Sequence, residues 1–156
     1  MLRIRLIVVG KTKEQFLRIG ESFYMERLRR YATTEWIEVK GAKIRKGAAT
    51  DKVLEIEGDA IADRICSQDY VIALDRLGKD FTSEQLAGHI DQLTLANSMI
   101  TFVIGGPLGL SKEVLGRARQ VVSLSKMTLT HEMCRLVLLE QLYRAFTIIH
   151  GEKYHK

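Results

Sequence analysis

Three short stretches of this chain are apolar almost without interruption: Leu6 to Val9, Tyr70 to Leu74 and Ile100 to Ile104. A strand with one wet face alternates apolar and polar residues, whereas a strand covered on both faces does not need to. Each run has the length and β-branched content of such a covered strand and is short for a buried helix. Between the runs, apolar residues recur at helical spacing: Phe16, Ile19, Phe23 and Leu28 within 14–31, and Val53, Ile56, Ala60, Ile61 and Ile65 within 51–66. Strands alternating with helices predict an α/β fold, a mainly parallel sheet of about five strands flanked by helices.

Local signals place the other elements. Residues 35–40, EWIEVK, alternate as a strand does. Thr82-Ser83-Glu84-Gln85 is a capping-box start for a helix running to about Leu95. After Ile104 come Gly105-Gly106-Pro107 and Gly109, a bend, and then a short helix with Ser111 as N-cap and Glu113 in its first turn. A short strand through Val121, Val122 and Leu124 runs into the polar segment Ser125-Lys126-Met127-Thr128. The longest helix, 132–150, is apolar around most of its circumference, with Arg135, Glu140, Arg144 and Thr147 as an approximate polar stripe. So wide an apolar surface needs cover on more than one side. In a domain this small, the expected second cover is another copy of the chain.

A chain of 156 residues with 46% hydrophobic content holds one domain, residues 1–156, with a sizeable core and no linker or repeat. Its formal charge of +5 leaves two readings open, a polyanionic partner such as RNA and a merely basic surface. The same choice holds for the loop carrying Lys40, Lys43, Arg45 and Lys46. Cys66 and Cys134 lack metal-type spacing and read as reduced core residues of a cytoplasmic protein. The opening MLRIRLIVVG reads as a charged strand rather than a signal peptide. No apolar run approaches the roughly 20 residues that cross a membrane. Gly10-Lys11-Thr12 lacks the first glycine of a phosphate-binding P-loop, and no G-x-G-x-x-G occurs, which disfavours a nucleotide-binding Rossmann or flavodoxin-like protein. The loops after Leu74, after Ile104 and at 124–128 all fall at strand carboxyl ends, where parallel sheets bind ligands.

Three segments carry a resemblance: VIGGPLGLSKEVL, LSKMTLTHEMCRLVLLEQLYRAF and the terminal YHK. Together they closely resemble the ribosomal RNA large subunit methyltransferase H family of the SPOUT superfamily, and the similarity extends over essentially the whole chain. The resemblance implies a C-terminal trefoil knot, a homodimer, and S-adenosylmethionine-dependent methylation of N3 of a pseudouridine in bacterial 23S ribosomal RNA, with the large-subunit RNA within the ribosome as the expected partner. It implies cofactor contacts at Leu74, Gly105, Leu124, Ser125, Lys126, Met127, Thr128 and Leu129. Many members have a proline where this chain has Thr130. The cofactor carries its own leaving group, so the transfer calls for no metal.

Removal of the weakly acidic N3 proton assists attack, and His131 and His155 are the candidate bases. His131, beside a helix start, reads equally as a structural hydrogen-bonder. Arg144, four residues after Glu140, reads as a helix-surface ion pair or as a catalytic and RNA contact. Tyr154 is suited to stack on a base, and Lys153 and Lys156 to neutralise phosphates, with His155 beside them; a frayed end is the alternative. The competing function is a non-catalytic RNA- or ribosome-binding assembly protein using the same basic face.

Overall fold

A computed structural model describes residues 1–156. In chain order the elements are β1 (Arg3–Val9), α1 (Gln15–Leu28), β2 (Thr33–Val39), α2 (Thr50–Ala62), β3 (Tyr70–Asp80), α3 (Ser83–Ala96), β4 (Met99–Ile104), α4 (Lys112–Arg117), β5 (Gln120–Ser123) and α5 (His131–Ile149). Five strands form one sheet in the order β2-β1-β4-β3-β5, and every pairing is parallel. The unbroken apolar runs are its inner strands. All six residues of β4 are buried.

Side chains alternate across this sheet and so supply two cores. Ile4, Leu6, Val8, Ile100, Phe102 and Ile104 point to one face, covered by α1, α3 and α5 through Leu28, Ile90, Leu138, Leu139 and Leu142. Ile7, Val9, Val71, Ala73 and Val103 point to the other, covered by α2 and α4 through Ile61 and Val114. No helix is long and apolar enough to cross a membrane.

The caps form as the sequence predicts. Thr82 and Gln85 make the reciprocal capping box of α3, and the Ser111 hydroxyl accepts from the Val114 amide at the start of α4. Thr130 caps α5 by accepting from the Met133 amide at 3.1 Å, with φ −63°. That is the φ a proline ring would enforce. The threonine thus keeps the backbone angle of the residue it replaces and adds a hydrogen bond, so the α5 entry remains fixed.

Other expectations need correction. The stripe Phe16, Ile19 and Phe23 has helical period, but it faces outward, at 61%, 62% and 47% exposure. The buried face of α1 is Leu17, Glu21 and Leu28, one step round the helix. Gly20 faces Leu136 of α5, where a Cβ would lie 2.8 Å from Leu136 Cδ1 and oblige that side-chain tip to shift. Ile56 is likewise exposed, and α2 stops at Ala62, leaving Cys66 exposed rather than in the core. Strand β3 does not end at Leu74. It shifts register between Leu74 and Lys79 and resumes pairing with β5. A Cβ on Gly78 would meet the Val121 and Val122 backbone at 2.7 Å, which explains the glycine in that bulge. Finally, Arg135 and Thr147 are fully buried and form no surface stripe on α5.

Candidate active site

The bulge within β3 and the ends of β4 and β5 lie side by side in the sheet, so the bulge and the two loops that follow β4 and β5 converge. They enclose a cavity of about 470 Å3 lined by Leu74, Gly105, Leu124, Met127, Thr128 and Leu129 among others, with His131 and Cys134 contributed by the first turn of α5. Each loop is held from within. Asp75 Oδ2 accepts from the Leu77 amide at 2.9 Å, and Ser125 Oγ accepts from the Met127 amide at 3.0 Å while Ser123 Oγ donates to the Ser125 carbonyl at 2.9 Å. In the middle loop, the Gly109 amide donates to the Gly106 carbonyl at 3.0 Å, closing a turn with Pro107 at its second position. Gly109 takes φ +85°, a conformation that favours glycine.

Gly105 has a different reason for being glycine from the one its motif suggests. A Cβ there would collide with the Gly109 backbone, so the missing side chain lets the loop fold onto itself rather than making room for a ligand. Behind this loop lies Glu57 of α2, buried, with Oε1 accepting from the Ala42 amide at 3.2 Å and Oε2 unpartnered. Burial pushes its carboxyl above the usual range, partly opposed by that amide.

Seven of the eight positions singled out for a cofactor line the cavity. Lys126 does not: its side chain is 88% exposed and its Nζ lies 3.7 Å from Asp80. The walls are mainly leucine, isoleucine and methionine side chains, and the polar groups are serine, threonine and backbone atoms with the oppositely charged pair Asp75 and Arg76 at one side. Such a cavity suits a flat heterocycle with polar edges, and the carboxylate suits a cationic centre.

His131 lines this cavity, and its imidazole is held below its ordinary pKa. Burial pushes its imidazole down, the Arg135 guanidinium and Lys13 push the same way, and Glu132 opposes them. Arg135 itself is wholly buried one turn further along α5. Its Nη1 donates to the Gly10 carbonyl at 3.0 Å and Thr12 Oγ1 at 2.9 Å, and Nη2 donates to the Val9 carbonyl at 2.6 Å. Thr12 Oγ1 passes its own proton to Glu21 at 2.8 Å. The arginine therefore ties the start of α5 to the end of β1, and the H-x-x-x-R spacing was the only sequence signal for it.

The remaining candidates assemble elsewhere. The Arg144 guanidinium donates to Glu140, lies 3.3 Å from His155 Nδ1, and stands 4.7 Å from the Tyr154 ring centroid. Tyr154 donates to Glu140 at 3.1 Å and packs edge-on against Tyr143. His155 Nε2 is 2.8 Å from Glu84 on α3. The end of the chain is docked rather than frayed, although Lys153 and Lys156 stay exposed. His131 and Arg144 are thirteen residues apart on one helix. At ~1.5 Å rise per residue, about 20 Å separates the two clusters within one chain.

The sequence matches the family described as "Predicted SPOUT methyltransferase" over residues 2–155. The chain belongs to this family. Among its relatives are proteins named ribosomal RNA large subunit methyltransferase H. Those of Halothermothrix orenii and Limosilactobacillus fermentum are each 46% identical over 99% of this chain and 100% of their own length. That of Streptococcus pneumoniae is 43% identical over the same shares. A probable methylase family protein from Haemophilus influenzae Rd KW20 matches in structure with a TM-score of 0.56 at 17% identity, covering 99% of this chain and 70% of that one; at this distance the likeness speaks for the fold. The SPOUT assignment gives the three converging segments a shared purpose. In this family member they line one cavity.

Proposed function

We propose that the chain methylates N3 of a pseudouridine in large-subunit ribosomal RNA, with S-adenosylmethionine as methyl donor. The observation that carries the reading is the convergence of the β3 bulge and the loops after β4 and β5 on one cavity with His131 in its lining. Full-length similarity to relatives named for that activity on ribosomal RNA supports it. When bound, the donor supplies a methyl group on a sulfonium that departs as a neutral thioether. Leu74, Leu124 and Leu129 would sandwich its adenine, backbone groups of Gly105 and of 125–128 would hold its polar edges, and Asp75 would face its cationic part. The protein's own task is to hold the nucleobase in line, exclude water and accept the N3 proton.

His131 is suited to accept that proton, because it lines the cavity and because burial, with Arg135 and Lys13 nearby, disfavours its charged form. His155 and Arg144 serve the substrate side. Since about 20 Å separates them from His131 along one helix, we assign them to the cavity of a second copy. A homodimer joined over α1 and α5 supports this arrangement, for Phe16, Ile19 and Phe23 leave an apolar stripe uncovered beside α5. The trefoil knot, formed by threading 124–130 past the glycine loop, belongs to the same proposal. So does a cytoplasmic location.

The experiment is transfer of tritiated methyl to ribosomes from a strain that lacks the modification, followed by nucleoside mapping. Label in N3-methylpseudouridine is the expected result. Ribosome binding without any label would favour the non-catalytic assembly protein.

A further inference from the structure

We propose that a second cleft, between α1, the edge strand β2 and the end of β1, binds a nucleotide of the RNA next to the one being methylated. This inference rests on the proposed activity on RNA. The cleft measures about 700 Å3 and is lined by Lys11, Thr12, Lys13, Arg18, Glu21, Ser22, Met25, Trp36 and Glu38. Its cations sit at one end. Lys11 and Lys13 are exposed, and Arg18 Nη1 is braced by the Thr12 and Lys13 carbonyls at 3.1 and 2.8 Å. The other end holds the protein's one tryptophan, partly exposed, with Met25 beside it.

The floor is built rather than incidental. Thr12 and Glu21 are 4% and 8% exposed and belong to the hydrogen-bond chain that ends on Arg135. That chain fixes Lys11 and Lys13 relative to α5. Trp36 Nε1 lies 3.3 Å from Glu38 Oε1, which fixes the indole. Lys11, Lys13 and Arg18 attract phosphate oxygens, with the carboxylates of Glu21 on the floor and Glu38 on β2 close to the same end, so a nucleotide enters with its phosphate toward the exposed cations and its base flat on Trp36. Stacking on an indole with cations along the backbone is how single-stranded RNA is held.

The cleft adjoins the active site. The Lys13 amide donates to Glu132, the neighbour of His131, and the Lys13 cation acts on the His131 imidazole. It also remains open in a dimer. Arg18, Ser22 and Met25 recur at helical spacing on a face of α1 turned away from Phe16, Ile19 and Phe23. Only the apolar stripe would be covered by a second copy.

Because Trp36 is the only tryptophan, its emission reports on this cleft. Titration of the full chain with a single-stranded oligouridylate of about ten nucleotides should quench it, and S-adenosylmethionine alone should not. In the double variant Lys11→Ala/Lys13→Ala the quench should weaken at least about tenfold in apparent affinity. Trp36→Leu should raise the KM for the ribosomal substrate about tenfold while leaving S-adenosylmethionine affinity unchanged, with circular dichroism confirming the fold. A wild-type protein that methylates its substrate, yet shows no quench and no KM change in either variant, overturns the subsite. Quenching by whole ribosomes but not by RNA overturns it in favour of a protein contact. If methyl transfer is absent while RNA quenching persists, the proposed activity fails and the cleft stands as an RNA site.

Discussion

Arg135 is a charge with no exposed surface, sustained by the Val9 and Gly10 carbonyls, by Thr12 and by the nearby Glu21 carboxylate. Burial lowers its pKa and Glu21 partly restores it. Removing one side of such a network leaves the other buried and unpaired, which costs more than the pair itself contributes. Arg135→Met, which keeps most of the volume, is expected to destabilise the fold by about 3–5 kcal/mol, seen as a lower urea midpoint. His131 gives a pH signature of known sign. Its folded pKa lies below the ordinary 6.5, so between those two values the unfolded chain binds more protons than the folded one. Stability therefore rises with pH through that window. It is lost as pH falls below about 6.5 and levels off once the folded imidazole is also protonated. His131→Gln should abolish this slope in urea unfolding measured in steps from about pH 7 to 5. Neither role was legible in the residue itself: Arg135 read as surface stripe, because period alone does not say what a long side chain reaches.

At the scale of elements, the local signals held. The Thr82 and Ser111 caps act within one turn, so their partners lie three residues away and the sequence states them directly. The phase of α1 was not stated, because it depends on α5 arriving over Gly20 from the other end of the chain. The loop after β4 shows the same division. Its turn was readable from Gly-Pro-Leu-Gly, whereas the contact that forbids a side chain at Gly105 appears only when the loop closes on Gly109. Gly105→Ala should therefore distort the loop locally. Calorimetry with S-adenosylmethionine should show affinity reduced at least about tenfold, with the far-ultraviolet circular dichroism of the sheet and helices unchanged. A full-affinity Ala variant would mean that the loop's shape is irrelevant to the cavity.

On the whole-molecule scale, the two clusters at opposite ends of α5 make one chain incomplete as a catalyst under the proposed function. A mixed dimer tests this directly. Gly105→Ala and His155→Ala chains, each impaired alone at limiting S-adenosylmethionine, should regain up to one normal site's share per mixed dimer, about half the activity of a wild-type dimer, because one composite site is then intact. No recovery in verified mixed dimers would place both clusters on the same chain's site. The order of strands and helices, the Thr82 and Ser111 caps, the parallel α/β class and the glycine turn after β4 were determined by the sequence, because each depends on residues within a few positions of one another. Tertiary structure decided which side of α1 is buried, that the chain's last residues dock on Glu140 and Glu84, and that Thr12 meets Arg135 across more than a hundred residues. Those outcomes are contacts between distant segments. Local periodicity fixes the spacing of a pattern but leaves its phase and its partners to packing.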